Sequence, residues 1–482
     1  MDFIKIGSRL ELFCDDYLLD TVRTDASQLL HTPVRQDTVM VNDEPWEGNI
    51  SNYFNLFYDN DYKKYRMYYK SGQAYTDSPA IKIHRSSQFC YAESEDGITW
   101  TKPDLGLWGH TNILTRDLNI DNFYVFKDNN PRCPANERYK AFCGCGSFWY
   151  YVSPDGIRFD LDRGITVMKR GAGYFDSLNT VRWSEELGKY ICFYRGSRYL
   201  DGSLPDDGDD WNKLKECIRG IMYSASEDLI HWDDPIPFEY SDNRVFEMYT
   251  NCAFNYYRAP HIYTALPTRY VQRRSWNTNY DELGGREARL ERFRNSEAGR
   301  GGLAVTEALF MTSRDGIYWT RYPEAFLRPG PQTDENWLYG GGYPAVGIIE
   351  TKSNVIGADN ELSIYVPEGR SSWRPNELIR YTLRLDGFVS MHAGIEPKRV
   401  VTKPLIYAGE DMVINFSTSA YGFIQIKIKD DHNNELISPE LFGDSTGRKV
   451  AFFNGKAGEL SGKPITVEIN MSDADLYSVC FL

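Results

Sequence analysis

No stretch of this chain approaches the roughly 18 consecutive apolar residues of a membrane helix, so no membrane partner is expected. Positive charge is also scarce. The chain carries 54 Lys and Arg against 68 Asp and Glu, a net charge of −14. Such a surface repels a phosphate backbone, so nucleic acid is not an expected partner. A disulfide framework is missing too. The nine cysteines are odd in number, and Cys143 and Cys145 form C-x-C rather than C-x-x-C. They read as free, mostly buried thiols of a reducing compartment. The seven histidines show no H-E-x-x-H and no Cys/His ligand spacing, so neither metal nor cofactor is expected. A Walker A loop and a G-x-S-x-G elbow are absent as well. The start, MDFIKIGSRLELF, has no basic segment followed by an apolar one. A cytoplasmic location is therefore expected for a full-length chain, and a secreted or periplasmic one if a signal peptide has been trimmed.

What is plentiful is aromatic surface. Tyr 34, Phe 25 and Trp 11 bring the aromatic share to 15%. Such residues favour strands and also stack on sugar rings. At about 150 residues per domain, the 482 residues suggest roughly three domains.

An internal repeat sharpens that estimate. The pattern Ser-x-Asp-Gly-x-x-aromatic occurs as SEDGITW (94–100), SPDGIRF (153–159), SEDLIHW (226–232) and SRDGIYW (313–319). A weaker copy is RLDGF (384–388). The aligned Asp96, Asp155, Asp228, Asp315 and Asp386 are spaced by 59, 73, 87 and 71 residues. Asp-Gly is expected to form a tight hairpin turn, with the aromatic packed between sheets. Upstream of each copy lie β-rich runs, beginning near residues 53, 123, 179, 251 and 344. The expected fold is all-β: a five-bladed β-propeller followed by a small antiparallel β-sandwich. Residues 1–30 form an N-terminal strand extension, 31–400 the propeller and 401–482 the sandwich. The segment 270–300 breaks the strand pattern and carries Arg286, Arg289, Arg292, Arg294 and Arg300. It reads as a helical insertion, either a solvated or subunit-contacting helix or a lid that brings Arg to an acidic substrate.

Five such hairpin repeats with a C-terminal sandwich resemble the five-bladed propeller glycoside hydrolases, families 32 and 43. The hairpins are also similar to the Asp box of sialidases, whose six blades exceed the repeats found here. The Asn-Asp-Pro-Asn-Gly, Arg-Asp-Pro and Glu-Cys motifs of family 32 are absent; the nearest stretch to the first is NDEPWEGNIS (42–51). NIDNFYVFKDNN (119–130) resembles the second-blade run of family 43, with Asp121 at its inner Asp and Asn122 in place of the usual Pro.

A propeller gathers the starts of its inner strands around one channel mouth, and glycoside hydrolysis needs two carboxylates there. One acid lies near the start of each inner strand: Glu47 (with Glu44 beside it), Asp121, Asp176, Glu247, and the pair Asp334 and Glu335. Asp176 or Glu247 is the expected general acid, Glu47 the base or nucleophile, and Asp121 an orienting or pKa-tuning group. The family-43 resemblance implies an acid on the third blade, which favours Asp176, but that family uses Glu, which favours Glu247. Each of these acids can instead serve as a solvated turn residue or strand cap. Trp46, Tyr249 and Trp337 are candidate stacking platforms or packed rim residues. Arg195 and Arg198 are candidate substrate ligands or surface ion-pair partners. Gly340, Gly341 and Gly342 read as close backbone approach at the channel. The expected function is hydrolysis of a terminal or branch sugar from an oligosaccharide or polysaccharide. The alternatives are a non-catalytic carbohydrate- or protein-binding propeller and a glycoside phosphorylase. An oligomer through 270–300 is compatible with all three.

Overall fold

The computed structural model describes residues 3–73, 88–116, 121–145, 147–161, 168, 175–206, 216–370 and 374–482. The protein is built almost wholly from strands, in five small sheets and one ten-stranded sheet. The first small sheet runs Asn52–Asp59, Lys64–Ser71, Gln88–Ser94 and Ile113–Thr115. The second runs Tyr124–Lys127, Tyr139–Cys145 and Ser147–Ser153. The third runs Thr180–Ser184, Lys189–Arg198, Ile218–Ser226 and Ile236–Pro237. The fourth begins with Ala253–Tyr256 and Ala259–Ala265, and ends with Ala304–Ser313 and Tyr318–Leu327. The fifth comprises Ile349–Thr351, Glu361–Glu368 and Glu377–Arg384, with Val34–Val41 from the other end of the chain as its last strand.

The first strands of these sheets meet in cyclic order. Asn55 Nδ2 donates to the Val125 carbonyl at 2.8 Å, linking the first sheet to the second. Asn122 Nδ2 donates to the Phe175 carbonyl at 3.1 Å, and Asn251 Nδ2 to the Leu178 carbonyl at 2.8 Å. Cys252 Sγ lies 3.2 Å from the Pro344 carbonyl, and Val346 N donates to the Phe54 carbonyl at 2.9 Å. That closed circuit is a propeller arrangement. These links give the buried side-chain amides of Asn55, Asn122 and Asn251 their partners.

The repeated hairpins differ from the expected Asp-Gly turn. Only the fourth residue is left-handed: φ is 73° at Gly97, 74° at Gly156, 68° at Leu229 and 78° at Gly316. The Asp and Ser side chains accept from nearby backbone amides. Asp315 Oδ1 takes the N–H groups of Ile317 and Tyr318 at 2.8 Å each, and Ser313 Oγ takes that of Gly316 at 2.9 Å. Asp96, Asp155 and Asp228 do the same. Each tryptophan of the motif lies against the preceding sheet. Trp100 meets Tyr365, Trp232 meets Phe142, and Trp319 meets Phe193. The weak copy at Asp386 is a different device. Asp386 is itself left-handed, at φ 59°. It is buried and accepts from Arg258 and Tyr256 of the fourth sheet and from Asn415 and Ser478 of the ten-stranded sheet.

The ten-stranded sheet is dominated by Met412–Asp430 and Ile465–Phe481, which pair along nearly their whole length. It recruits Ile4–Gly7, Glu11–Leu12 and Ser27–Leu30 from the N-terminus. Val389–Ala393 and Lys398–Val401 also belong to it, so it begins before residue 401. Alternating apolar residues such as Ile424, Ile426 and Ile428 fill its interior.

Replacing Asp315 with Ala leaves two backbone N–H groups without their acceptor. Stability is expected to fall by about 0.5–1.5 kcal/mol, read as a lower denaturation midpoint at unchanged denaturant slope. An unaltered midpoint would contradict the acceptor role.

Candidate active site at the inner-strand ends

The chain accepts strained backbone at the entrances to its inner strands. Tyr53, Phe175, Ser177 and Cys252 have φ of 53°, 53°, 69° and 43°. A non-glycine residue there costs about 1–2 kcal/mol, and such strain concentrates at functional sites. Phe175 and Ser177 flank Asp176 on both sides.

Tyr249 is the hub of the site. It lies in the strand Glu247–Thr250, which pairs with Thr268–Gln272 within the fourth sheet. The guanidinium carbons of Arg195, Arg219 and Arg300 lie 4.8, 5.9 and 5.6 Å from its ring centre. Its hydroxyl accepts from Tyr339 Oη at 2.6 Å and from Arg300 Nη2 at 3.3 Å. Its ring stacks on Tyr343 at 5.5 Å, and Tyr343 in turn stacks on Tyr53 at 6.4 Å. Burial pushes the Tyr249 phenol up, but Arg195, Arg300 and the bond from Tyr339 outweigh it and hold the phenol below its ordinary value.

Three carboxylates from three sheets border this hub. Asp121, entering the second sheet, accepts from Lys70 Nζ at 2.6 Å and from the Ser177 amide at 3.0 Å. Asp176, entering the third, pairs with Arg195. Glu247, two residues from Tyr249 on the same strand, pairs with Arg219. Burial alone would raise the Asp121 carboxyl. Lys70, the Ser177 amide and Arg195 reverse that and hold it below the usual carboxylate range.

Glu47, the expected base, is sealed by its partners. Its carboxylate has no exposed surface and is bound by Lys102 Nζ at 2.6 Å and by the Tyr69 hydroxyl. Burial pushes its carboxyl up despite those partners. Through Lys102, which also donates to the Val41 carbonyl at 2.6 Å, it is tied to the strand Val34–Val41 of the fifth sheet. A sealed carboxylate cannot meet a sugar. Trp46 is tied down beside it, its Nε1 donating to Asn112 Oδ1 at 2.7 Å. Arg198 ends its strand opposite Ile218, with its charge acting on Tyr240.

Asp334, Glu335 and Trp337 line a cavity of about 640 Å³ between the fourth and fifth sheets, together with Arg370, Arg374 and Tyr381. Asp334 Oδ1 accepts from Gly285 N at 2.9 Å, just ahead of the helix Arg286–Asn295, and Glu335 pairs with Arg374. Trp337 Nε1 donates to the Gly330 carbonyl at 2.9 Å. Arg370 connects the cavity to the hub, lying 5.6 Å from the Tyr339 ring and 5.5 Å from that of Tyr343. The helical insertion delivers Arg300 to the site, while Arg289 is buried and donates to the Trp337 carbonyl at 2.7 Å.

Sequence reasoning did not single out Lys70, Arg219, Arg370, Tyr53, Tyr339 or Tyr343. The run YGGGYP held a usable signal, because two of these tyrosines bracket the three glycines. Among the described residues, no group of three or more His, Cys, Asp and Glu is placed to hold a metal ion.

No family model matches the chain, and no curated protein matches it in sequence. Solved structures similar in chain path include an N-acetylgalactosamine deacetylase from F. plautii in complex with blood group B trisaccharide. It has 10% identity, TM-score 0.42, and coverage of 74% of this chain and 96% of the other. A fructofuranosidase from Schwanniomyces occidentalis complexed with fructosylnystose has 12% identity and TM-score 0.40, with 99% of each chain covered. An endo-arabinase from Bacteroides thetaiotaomicron has 10% identity and TM-score 0.37, with 72% of this chain and 98% of the other covered.

Glu47→Gln removes the nearer and buried carboxylate of the Lys102 ammonium, leaving it Asp43 at 3.5 Å. Stability is expected to fall by about 3 kcal/mol in chemical denaturation. Ligand binding by the folded fraction should stay unchanged. The reverse pattern, lost binding at unaltered stability, would return Glu47 to the site.

Proposed function

We propose that the five small sheets are the five blades of one ring, and that the chain is a glycosidase working at its mouth. The observation that carries this reading is the convergence of Asp121, Asp176 and Glu247, from three different sheets, on one tyrosine-lined hub. Hydrolysis of a glycosidic bond needs one carboxyl to protonate the leaving oxygen and one carboxylate on the other side of the sugar. Asp121 suits the second task, because Lys70 keeps it ionised. It either takes a proton from the attacking water or attacks the anomeric carbon itself. Asp176 or Glu247 suits the first task. Either must part from its arginine to carry a proton, and a substrate that reorders those arginines would release it. Tyr249 and Tyr343 offer aromatic faces for the sugar. The substrate class is an oligosaccharide or polysaccharide, and the chemistry requires no cofactor.

Asp121→Asn, Asp176→Asn and Glu247→Gln are each expected to lower kcat on a responsive aryl glycoside by at least about 100-fold. The variant lacking the acid should recover on substrates with a good leaving group, which identifies it. Turnover like the wild type in all three would sink the assignment. Lys70→Met removes the main charge that holds Asp121 ionised, so the acid limb of kcat/KM should move up by about one pH unit. A limb that stays in place would remove Asp121 from the base role.

A further inference from the structure

The charges at the hub do not balance. Lys70, Arg195 and Arg219 each face a carboxylate: Asp121, Asp176 and Glu247. Arg300 and Arg370 face none among the described residues. Both lie over the ring of Tyr339, at 4.1 and 5.6 Å from its centre, so the two guanidiniums are separated by no more than the sum of those distances. Arg370 Nη1 and Arg300 Nε are buried atoms with no hydrogen-bond partner. A buried donor left unpaired is costly, and two neighbouring cations without a counter-ion repel each other at low dielectric. Tyrosine hydroxyls and ring faces offset part of this. The oxygens of Tyr343 and Tyr339 favour the charge on Arg370 against the cost of burial, and it stays protonated. They bring no full negative charge. One of the two arginines, Arg370, lines the 640 Å³ cavity. All this lies in a chain of net charge −14, where unmatched positive charge is the exception.

We infer that Arg300 and Arg370 form an oxyanion-binding subsite next to the reaction centre, built for a carboxylate carried by an acidic sugar or for free inorganic phosphate. The inference rests on the proposed glycosidase reading for its sugar ligand. Planar guanidiniums take either anion through paired N–H donors. The helical insertion supplies Arg300 and the turn after the fifth-sheet strand Glu361–Glu368 supplies Arg370, so the anion would join two parts of the chain that are distant in sequence.

The test is calorimetric titration of the full chain at low ionic strength with galacturonate, glucuronate, galactose, glucose and inorganic phosphate. An acidic sugar is expected to bind at least about tenfold more tightly than its neutral counterpart, with affinity that falls as salt rises. Arg370→Met should abolish that preference, and Arg370→Lys should keep part of it, which separates lost charge from lost folding. Binding of phosphate with no preference for acidic sugars would support the subsite and assign it to phosphate. Equal binding of acidic and neutral sugars without phosphate binding would overturn it. So would a preference for acidic sugars that survives Arg370→Met. Asp121→Asn keeps both arginines, so it should retain the anion preference whether or not glycosides are turned over. A binding result therefore stands apart from failure of the hydrolytic reading.

Discussion

Val346 closes the ring, and the site depends on that closure. Its N–H donates to the Phe54 carbonyl and its carbonyl accepts from Leu56 N, each at 2.9 Å, so the last inner segment meets the first. Gly347 allows this approach. Its φ is 104°, and a side-chain carbon there would stand 2.1 Å from the Leu56 carbonyl oxygen. The outer edge is closed separately by Val34–Val41, which completes the fifth sheet. With both edges held, the strained entrances at Tyr53, Phe175 and Cys252 are fixed from two sides, and groups from several sheets keep their positions around Tyr249.

The ten-stranded sheet acts as a brace. Asp386 gathers Arg258, Tyr256, Asn415 and Ser478 around one buried carboxylate. Glu11, equally buried, is bound by Arg9 at 2.6 Å and Arg314 at 2.9 Å. These two carboxylates tie the brace to the fourth sheet, the sheet that carries Glu247, Tyr249 and the helical insertion. Breaking one partner of such a cluster exposes the remaining buried charge, which gives the interface a defined geometry.

At the mouth, three ion pairs and a tyrosine stack hold the carboxylates that chemistry would use. The same logic of charge pairing separates the candidates. Glu47 is paired and sealed, whereas Asp121, Asp176 and Glu247 are paired but partly exposed, with side chains 30%, 35% and 33% exposed. Their near-identity in sequence, an acid just ahead of a strand, hid this difference.

Much of the fold was legible in the chain. The Ser-x-Asp-Gly hairpins recur because each solves the same local problem, satisfying N–H groups of one turn with side chains a few residues away. Alternation in Met412–Asp430 likewise marks a sheet with a buried face. Asp121, Asp176, Glu247 and Tyr249 could be named as candidates because the start of an inner strand is a local position. Lys70, Arg219 and Arg370 could not, because nothing near them in sequence distinguishes them from surface cations. The sealing of Glu47, the recruitment of Val34–Val41 and the meeting of Arg300 with Arg370 were decided only by the tertiary structure. Burial and Coulomb energy depend on which distant segments surround a group, and a local pattern carries no record of that.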